Sequence, residues 1–394
     1  MAERTLTGAG AVVRALEAVG VEVAFGLPGV HNLALWRALG DSPIRLVGVR
    51  HEQAAAYAAD GYASASGRLG VAIVTTGPGA ANTLAAVGEA WASRSPLLVI
   101  ATDVPSSVRR AGVWRGSLHE ASDQAAMFAP VVKEVVRAGS ADRLGAATAA
   151  ASHSALTAPR RPAYLEIPTD LLAAEIEGLG VDDRLQGAPE PDHEQLARAA
   201  GLLEGARRPL IWAGGGALQA GAGEAVAALA ERLVAPVLLT YSARGLLPPG
   251  HPCLVEAPPH VPEVGALWDE ADCVLAVGSD LDAMMTQGWR MARPPHLIAV
   301  NLDPGDAAKN YLPDLLVEAD ARAAVTGLVA RIEPRTGLEA IGRRLGTLNG
   351  EVRRLGLLPA LGHHAVEVAA DRDHEVGLVP QGADLLDMRR QPDV

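Results

Sequence analysis

The chain has 394 residues, of which 49% are hydrophobic and 20% are charged, which excludes an extended disordered polypeptide and predicts two or three folded domains. Its net charge of −12 argues against nucleic acid or an anionic membrane surface as the main partner. No apolar run is long enough to cross a membrane and no secretory signal precedes the first predicted helix, so we expect a cytoplasmic protein.

Predicted helices and strands alternate through the first part of the sequence. The first helix spans residues 4–20, with Thr7 as its candidate N-cap. The other predicted elements are strands at 21–25, 44–49, 71–75 and 96–101 and helices at 31–39, 52–66 and 80–93. Alternation of this kind over about 170 residues predicts a parallel sheet with helices on both faces.

A second alternation follows a stretch that is rich in Gly, Asp, Pro and Glu. Its predicted strands are at 210–213, 236–240, 273–277 and 297–301. We therefore predict two doubly wound α/β domains with parallel sheets, over residues 1–175 and 195–332, joined by a linker over 176–194. The tail over 333–394 has little pattern beyond a predicted helix around 337–355.

Three strand ends in the first domain carry the residues of greatest chemical interest. Glu52 begins a predicted helix directly after a strand, where open α/β sheets bind their ligands. On its position alone, such an acid is typical of a helix first turn, where the helix dipole favours it. The turns Phe25-Gly26-Leu27-Pro28-Gly29 and Thr75-Thr76-Gly77-Pro78-Gly79-Ala80-Ala81-Asn82 close two other strands.

In order and spacing, residues 25–29, 50–63 and 76–82 resemble the pyrimidine-binding domain of thiamine-diphosphate enzymes, in the group of acetolactate synthases and 2-oxo-acid decarboxylases. The resemblance extends from residue 4 to about residue 170. Residues from about 195 to 330, with Asn301-Leu302-Asp303-Pro304, resemble the Rossmann-like central domain of the same family.

The resemblance implies a role for each matched residue. It assigns to Glu52 the hydrogen bond to N1′ of the aminopyrimidine, a bond that helps the cofactor lose its C2 proton, after which its thiazolium acts as an electron sink. The residues that it places around the cofactor are Pro28, Gly29, Glu52, Thr76, Gly77, Pro78 and Asn82. It also implies a 2-oxo acid as substrate, decarboxylation or carboligation as the reaction, and a homodimer or tetramer.

Leu118-His119-Glu120 lies where acetolactate synthases carry Phe-Gln before a Glu. His119 is therefore a second catalytic candidate, since a histidine can act as general acid and base near neutral pH; a surface-loop histidine is the alternative. A histidine here resembles relatives that act on other 2-oxo acids, including guanidino-substituted ones. The departure from Phe-Gln argues against strict acetolactate synthase activity.

The diphosphate end of the cofactor is the part that the sequence does not explain. In the family it binds through magnesium to a third domain with Gly-Asp-Gly and a later Asn, and this sequence has no Gly-Asp-Gly. We therefore predict that the third, diphosphate-binding domain is absent, that the chain has no metal ligands, and that magnesium binds only through that missing domain. The explanations are a truncated chain, a separate diphosphate-domain subunit, or a non-catalytic dimerisation or binding module.

Gly214-Gly215-Gly216, between a strand and a helix, is a weak dinucleotide signal because the full spaced fingerprint is missing. Acetolactate synthases bind FAD in this domain, whereas many relatives leave it empty. FAD is thus an option for the central domain, and an empty domain is the expectation.

Overall fold

The computed structural model describes residues 6–110, 112–178 and 189–357. In chain order, the first unit consists of β1 (Leu6–Thr7), α1 (Gly8–Ala18), β2 (Val23–Gly26), α2 (Leu33–Gly40), β3 (Arg45–Gly48), α3 (Glu52–Ser66), β4 (Gly70–Val74), α4 (Pro78–Ala81), α5 (Leu84–Ser93), β5 (Leu97–Asp103), β6 (Glu134–Arg137), α6 (Leu144–Leu156), β7 (Ala163–Pro168), α7 (Thr169–Ala173) and β8 (Glu175–Ile176). The second unit consists of α8 (His193–Gly205), β9 (Pro209–Ala213), α9 (Gly215–Gln219), α10 (Gly223–Leu233), β10 (Val237–Leu239), β11 (Leu254–Val255), α11 (Pro262–Glu270), β12 (Cys273–Val277), β13 (His296–Asn301), α12 (Pro304–Ala308), β14 (Leu315–Glu318), α13 (Ala321–Val329) and α14 (Leu338–Arg354).

The first sheet contains six parallel strands in the order β3-β2-β4-β5-β7-β6. Its central strands β4 and β5 are buried at every residue, as continuous apolar strands are when helices cover both faces. The chain passes from β2 to β3 on one side and then to β4 on the other, so the strand order reverses between β2 and β4. Ligands of open α/β sheets bind at such a reversal, beyond the carboxyl ends of the strands.

The second sheet also has six parallel strands, in the order β11-β10-β9-β12-β13-β14, with its reversal between β9 and β12. The prediction of two α/β units with parallel sheets is therefore confirmed. A short antiparallel pair of β1 and β8, in which Leu6 faces Ile176, ties the start of the first unit to its end. None of the helices in the described ranges combines the length and the apolar character that a membrane span requires.

Helix α3 lies close to the first sheet because alanines form its inner face. Ala55, Ala59 and Ala63 are buried and recur at the four-residue spacing of one helix face. A Cβ on Gly70, at the start of β4, would collide with the Ala59 carbonyl, so the approach requires glycine there. The helix ends at Ser66, as the sequence predicts, and Gly67 after it has a left-handed conformation (φ 70°).

The prediction of one helix over 80–93 is wrong, because two helices, α4 and α5, occupy this stretch and are separated at Asn82 and Thr83. The Thr83 hydroxyl donates a hydrogen bond to the Ala80 carbonyl at 2.7 Å. Local bonds of this kind compete with a continuous helix. The break leaves the Asn82 amide facing Glu52, the first residue of α3.

The predicted helix around 337–355 is confirmed as α14. Its Leu345 and Val352 are buried in the same core as Trp212 and Trp268, on one face of the second sheet. Residues 179–188 of the predicted linker and residues 358–394 of the predicted tail lie outside the described residues.

Replacement of Leu345 by alanine tests the packing of α14. Leu345→Ala should lower the free energy of unfolding of the second unit by about 2–5 kcal/mol, because the truncation leaves a cavity. Leu355→Ala is the control, since Leu355 is 59% exposed and its loss should change stability by less than about 0.5 kcal/mol. Denaturation followed by tryptophan fluorescence measures both, and equal stabilities of the two variants would contradict this packing.

Candidate functional site

Glu52 is a buried carboxylate at the reversal of the first sheet. It is the first residue of α3, it follows β3, and it is 8% exposed. Its Oε2 accepts a hydrogen bond from Nδ2 of Asn82 at 2.9 Å. Asn82 follows β4 and the short helix α4, whereas Glu52 follows β3. The hydrogen bond therefore connects the segments that follow β3 and β4, the two strands that flank β2 in the sheet.

The other carboxylate oxygen of Glu52 faces a glycine. A Cβ on Gly79 would lie 3.3 Å from Glu52 Oε1 and 2.6 Å from Thr75 Cγ2. Glycine at this position therefore keeps space open beside Oε1. Within the described ranges, the hydrogen bond to the Glu52 carboxylate is the one from Asn82, so Oε1 is available to a ligand.

The turn after β4 has a conformation that requires glycine. Gly77 has φ +62°, and a Cβ there would collide with the carbonyl oxygen of His119. Its amide donates a hydrogen bond to Oε1 of Gln124. Beside it, the Thr76 hydroxyl donates to the Thr102 hydroxyl on β5 at 3.1 Å. The turn is thus fixed both by β5 and by the loop that carries Gln124.

The turn after β2 packs against the turn after β4. The Gly29 amide donates to Asn32 Oδ1 at 2.8 Å, and the Asn32 side chain donates to the Leu27 carbonyl at 3.0 Å. A Cβ on Gly29 would lie 2.7 Å from Thr75 Oγ1, so glycine permits this contact as well. Pro28 lies in the same turn and is exposed. The predicted site residues of the two turns therefore lie in adjacent segments.

His119 reaches this region through its backbone. It is exposed, has φ +63° and places its carbonyl against Gly77. Its ring is edge-on to the ring of His31, with 6.1 Å between the centroids. Burial lowers the pKa of His31, His119 lowers it further, and Asp103 opposes the change. A general acid or base role for His119 stays a prediction.

Sequence reasoning did not identify a buried polar group behind the turn. Glu166 and Tyr164 lie on β7 and are almost fully buried. Gln124 Nε2 lies 2.8 Å from Tyr164 Oη and 3.2 Å from Glu166 Oε2. The available signal was a glutamate inside an otherwise apolar strand, since charged residues are almost never fully buried without partners.

A metal site is not found in the part of the chain that the structure describes, where no three His, Cys, Asp or Glu side chains are grouped to hold an ion. At the reversal of the second sheet, Gly216, Gly278, Asn301 and Arg94 line a cavity of about 240 Å³. Pockets that bury drug-sized ligands measure roughly 300–1,000 Å³. The cavity is therefore slightly smaller than such pockets.

Comparison with known protein families gives matches over both units. Residues 6–127 match the thiamine pyrophosphate enzyme N-terminal TPP binding domain. Residues 196–328 match the thiamine pyrophosphate enzyme central domain.

Curated proteins also match most of the chain. A probable 2-ketoarginine decarboxylase from Pseudomonas aeruginosa is 41% identical over 357 residues, which cover 89% of this chain and 63% of that protein. A probable acetolactate synthase large subunit from Methanocaldococcus jannaschii is 31% identical, over 83% of this chain and 56% of its own length. An acetolactate synthase from Mycobacterium bovis is 32% identical, over 84% of this chain and 54% of its own length. The chain thus spans between 54% and 63% of the length of these relatives.

Gly77→Ala tests the geometry of the turn after β4. It should lower the free energy of unfolding by about 2 kcal/mol or more, because alanine is strained at positive φ and its Cβ meets a backbone carbonyl. Gly201→Ala is the control: Gly201 lies inside α8 with open space around its Cβ position, so alanine should stabilise by about 0.5–1 kcal/mol. Urea denaturation measures both, and a Gly77→Ala variant as stable as the parent would refute the described turn.

Proposed function

Because the chain belongs to the thiamine pyrophosphate enzyme family, we propose that it supplies the aminopyrimidine half of a thiamine-diphosphate site that decarboxylates or carboligates a 2-oxo acid. The observation that carries this proposal is the Glu52 carboxylate. It is buried at the reversal of the first sheet, held through Oε2 by Asn82, and open through Oε1 beside Gly79.

The residues of this chain fit the aminopyrimidine end of the cofactor. When bound, thiamine diphosphate supplies an acidic C2–H and an electron sink for the reaction. Glu52 Oε1 would share a proton with N1′ of the ring, and Asn82 would keep the carboxylate oriented. Burial strengthens such a hydrogen bond because water does not compete for it.

The two glycine turns would form the walls around the ring. Pro28 and Gly29 lie on one side, and the segment of Thr76, Gly77 and Pro78 lies on the other. The close packing of these turns supports this assignment, since their glycines let backbone approach the ligand. His119, beside Gly77, would exchange a proton with the substrate.

The diphosphate and magnesium would bind to residues outside the described ranges or to a second polypeptide. Divalent magnesium requires hard oxygen ligands, and the described ranges offer no such cluster. A central unit without flavin stays the expectation for this domain.

The substrate class follows from the family and from the relatives. We propose a 2-oxo acid, and the similarity to a probable 2-ketoarginine decarboxylase favours decarboxylation. His119 in place of the glutamine of acetolactate synthases favours the same reaction.

A face with few charges on α3 and α5 supports a homo-oligomer. Its outward residues include Ala54, Tyr57 and Gly61 on α3 and Ala85 on α5. Tyr57 is 44% exposed. An exposed aromatic ring on an apolar surface with few charges is typical of a surface that another subunit covers. The two helices pack together, so this surface is continuous.

Glu52→Gln tests the proposed function. In the complete enzyme, in which the diphosphate-binding domain or subunit is also present, this variant should slow C2 hydrogen–deuterium exchange of the cofactor by about 10²–10⁴-fold, because the neutral amide has no ionisable proton to share with N1′. Proton NMR after acid quench measures the exchange.

Glu194→Gln is the matched control for this experiment. Glu194 is an exposed acid in the first turn of α8. Like Glu52, it interacts favourably with the helix dipole, but it lies outside the proposed site, so its variant should keep the parent rate of C2 exchange. An unchanged rate in Glu52→Gln would refute the assigned role. Cofactor binding without accelerated exchange in the parent protein would favour a non-catalytic binding module.

Gly61→Arg tests the proposed subunit interface. The parent protein should sediment as a dimer or tetramer, and the variant should sediment as a smaller species because a buried arginine has no partner there. Gly201→Arg is the control, since Gly201 is also an exposed helical glycine with open space around it, on α8. A monomeric parent, or an unchanged Gly61→Arg variant, would contradict the interface.

A further inference from the structure

Gln124 is the centre of a fully buried polar cluster behind the Gly77 turn. Its Oε1 accepts the hydrogen bond from the Gly77 amide. Its Nε2 has three acceptors within reach: the Thr102 carbonyl at 3.0 Å, Tyr164 Oη at 2.8 Å and Glu166 Oε2 at 3.2 Å. A side-chain amide has only two hydrogens to donate. The hydrogen bonds of Gln124 therefore depend on where the protons of Tyr164 and Glu166 lie.

Glu166 is the titratable group of this cluster. It is 4% exposed, and Tyr164 Oη lies 3.3 Å from its Oε2. Burial and the nearby Asp103 carboxylate together raise the pKa of Glu166 to about 7, against the lowering effects of Arg109, Arg137 and Gln124.

The charged neighbours of Glu166 come from each element packed against it. Asp103 lies on β5 and pairs with Arg109 of the following loop. Arg137 lies on β6, with its Nε 3.6 Å from Glu166 Oε1, and it also pairs with Asp123. These pairs keep the two arginines in place, so protonation of Glu166 is the change that alters the hydrogen bonds of Gln124.

A charged acceptor makes stronger hydrogen bonds than a neutral one. Ionised Glu166 accepts hydrogen bonds from Tyr164 O–H and from Gln124 Nε2, which leaves Oε1 of Gln124 aimed at the Gly77 amide. The hydrogen bond from Gln124 favours the ionised form of Glu166. By linkage, ionisation of Glu166 in turn favours the position of Gln124 in which it bonds both Glu166 and the Gly77 amide.

We infer that Gln124 and Glu166 are positioning residues for the Gly77 turn, and that ionisation of Glu166 tightens the turn that carries Asn82 to Glu52. Neither residue touches the proposed cofactor position; they act through Gly77. The link to cofactor binding rests on the proposed function, whereas the coupling of Glu166 to the turn does not.

The first experiment needs no cofactor. Exchange of the Gly77 amide is followed by NMR from about pH 5 to about pH 9, and protection factors are corrected for the intrinsic rate. Protection of the Gly77 amide in the parent protein should rise about fivefold as the pH passes about 7. A rise of this size is expected when one hydrogen bond of the cluster becomes charge-assisted. Glu166→Gln should abolish this rise, because the amide is neutral at every pH.

Two further variants make the result interpretable. Glu134→Gln removes an exposed acid from β6 in the same sheet and should keep the rise. Gln124→Leu should give low protection at every pH, and it carries the test if Glu166→Gln does not fold. A parent protein without the rise, or a Glu166→Gln variant that retains it, would overturn the inference.

The second experiment measures the affinity of the complete enzyme, with its diphosphate-binding domain or subunit present, for thiamine diphosphate with Mg²⁺ by calorimetry at the same pH values. Affinity should rise in parallel with protection in the parent protein and stay flat in Glu166→Gln. Protection that follows pH without any cofactor binding would refute the proposed function but support the positioning role. Cofactor binding without pH-dependent protection would support the proposed function but refute the positioning role.

Discussion

The site depends on the close approach of backbone to backbone in the first unit. Gly70 lets α3 pack tightly on β4, and Gly77 lets the following turn pack against the His119 carbonyl. A side chain at either glycine would push these segments apart. This packing brings the first turn of α3 and the segment after β4 together, so that Asn82 can hold Glu52 at 2.9 Å.

Burial of Glu52 has an energetic cost that one hydrogen bond does not fully offset. Removing a carboxylate from water is unfavourable unless both oxygens find donors or the charge is shared. Asn82 donates a hydrogen bond to Oε2, and the space beside Gly79 keeps Oε1 accessible to a ligand. We propose that this site becomes complete when a proton-sharing partner such as the aminopyrimidine of the family cofactor binds.

Local sequence patterns predicted most of this arrangement and failed where contacts are distant. Glu52, Gly77 and Asn82 lie in short motifs at strand ends, so spacing alone brings them to one edge of the sheet. The cluster of Gln124 and Glu166 joins residues 42 positions apart, and no local pattern marks that pairing. The split between α4 and α5 was missed because the Thr83 bond to Ala80 outweighs helix propensity. The edge strands β6, β11 and β14 were missed because two to four residues give too little periodicity.

We propose that this chain holds the aminopyrimidine end of thiamine diphosphate through Glu52. A crystal structure of the complete enzyme, with its diphosphate-binding domain or subunit, thiamine diphosphate and Mg²⁺, would show where the ring binds. We expect N1′ of the ring at about 2.7–3.2 Å from Glu52 Oε1, with the Asn82 hydrogen bond to Oε2 retained. A ring bound elsewhere, or an N1′ that faces another residue, would contradict it.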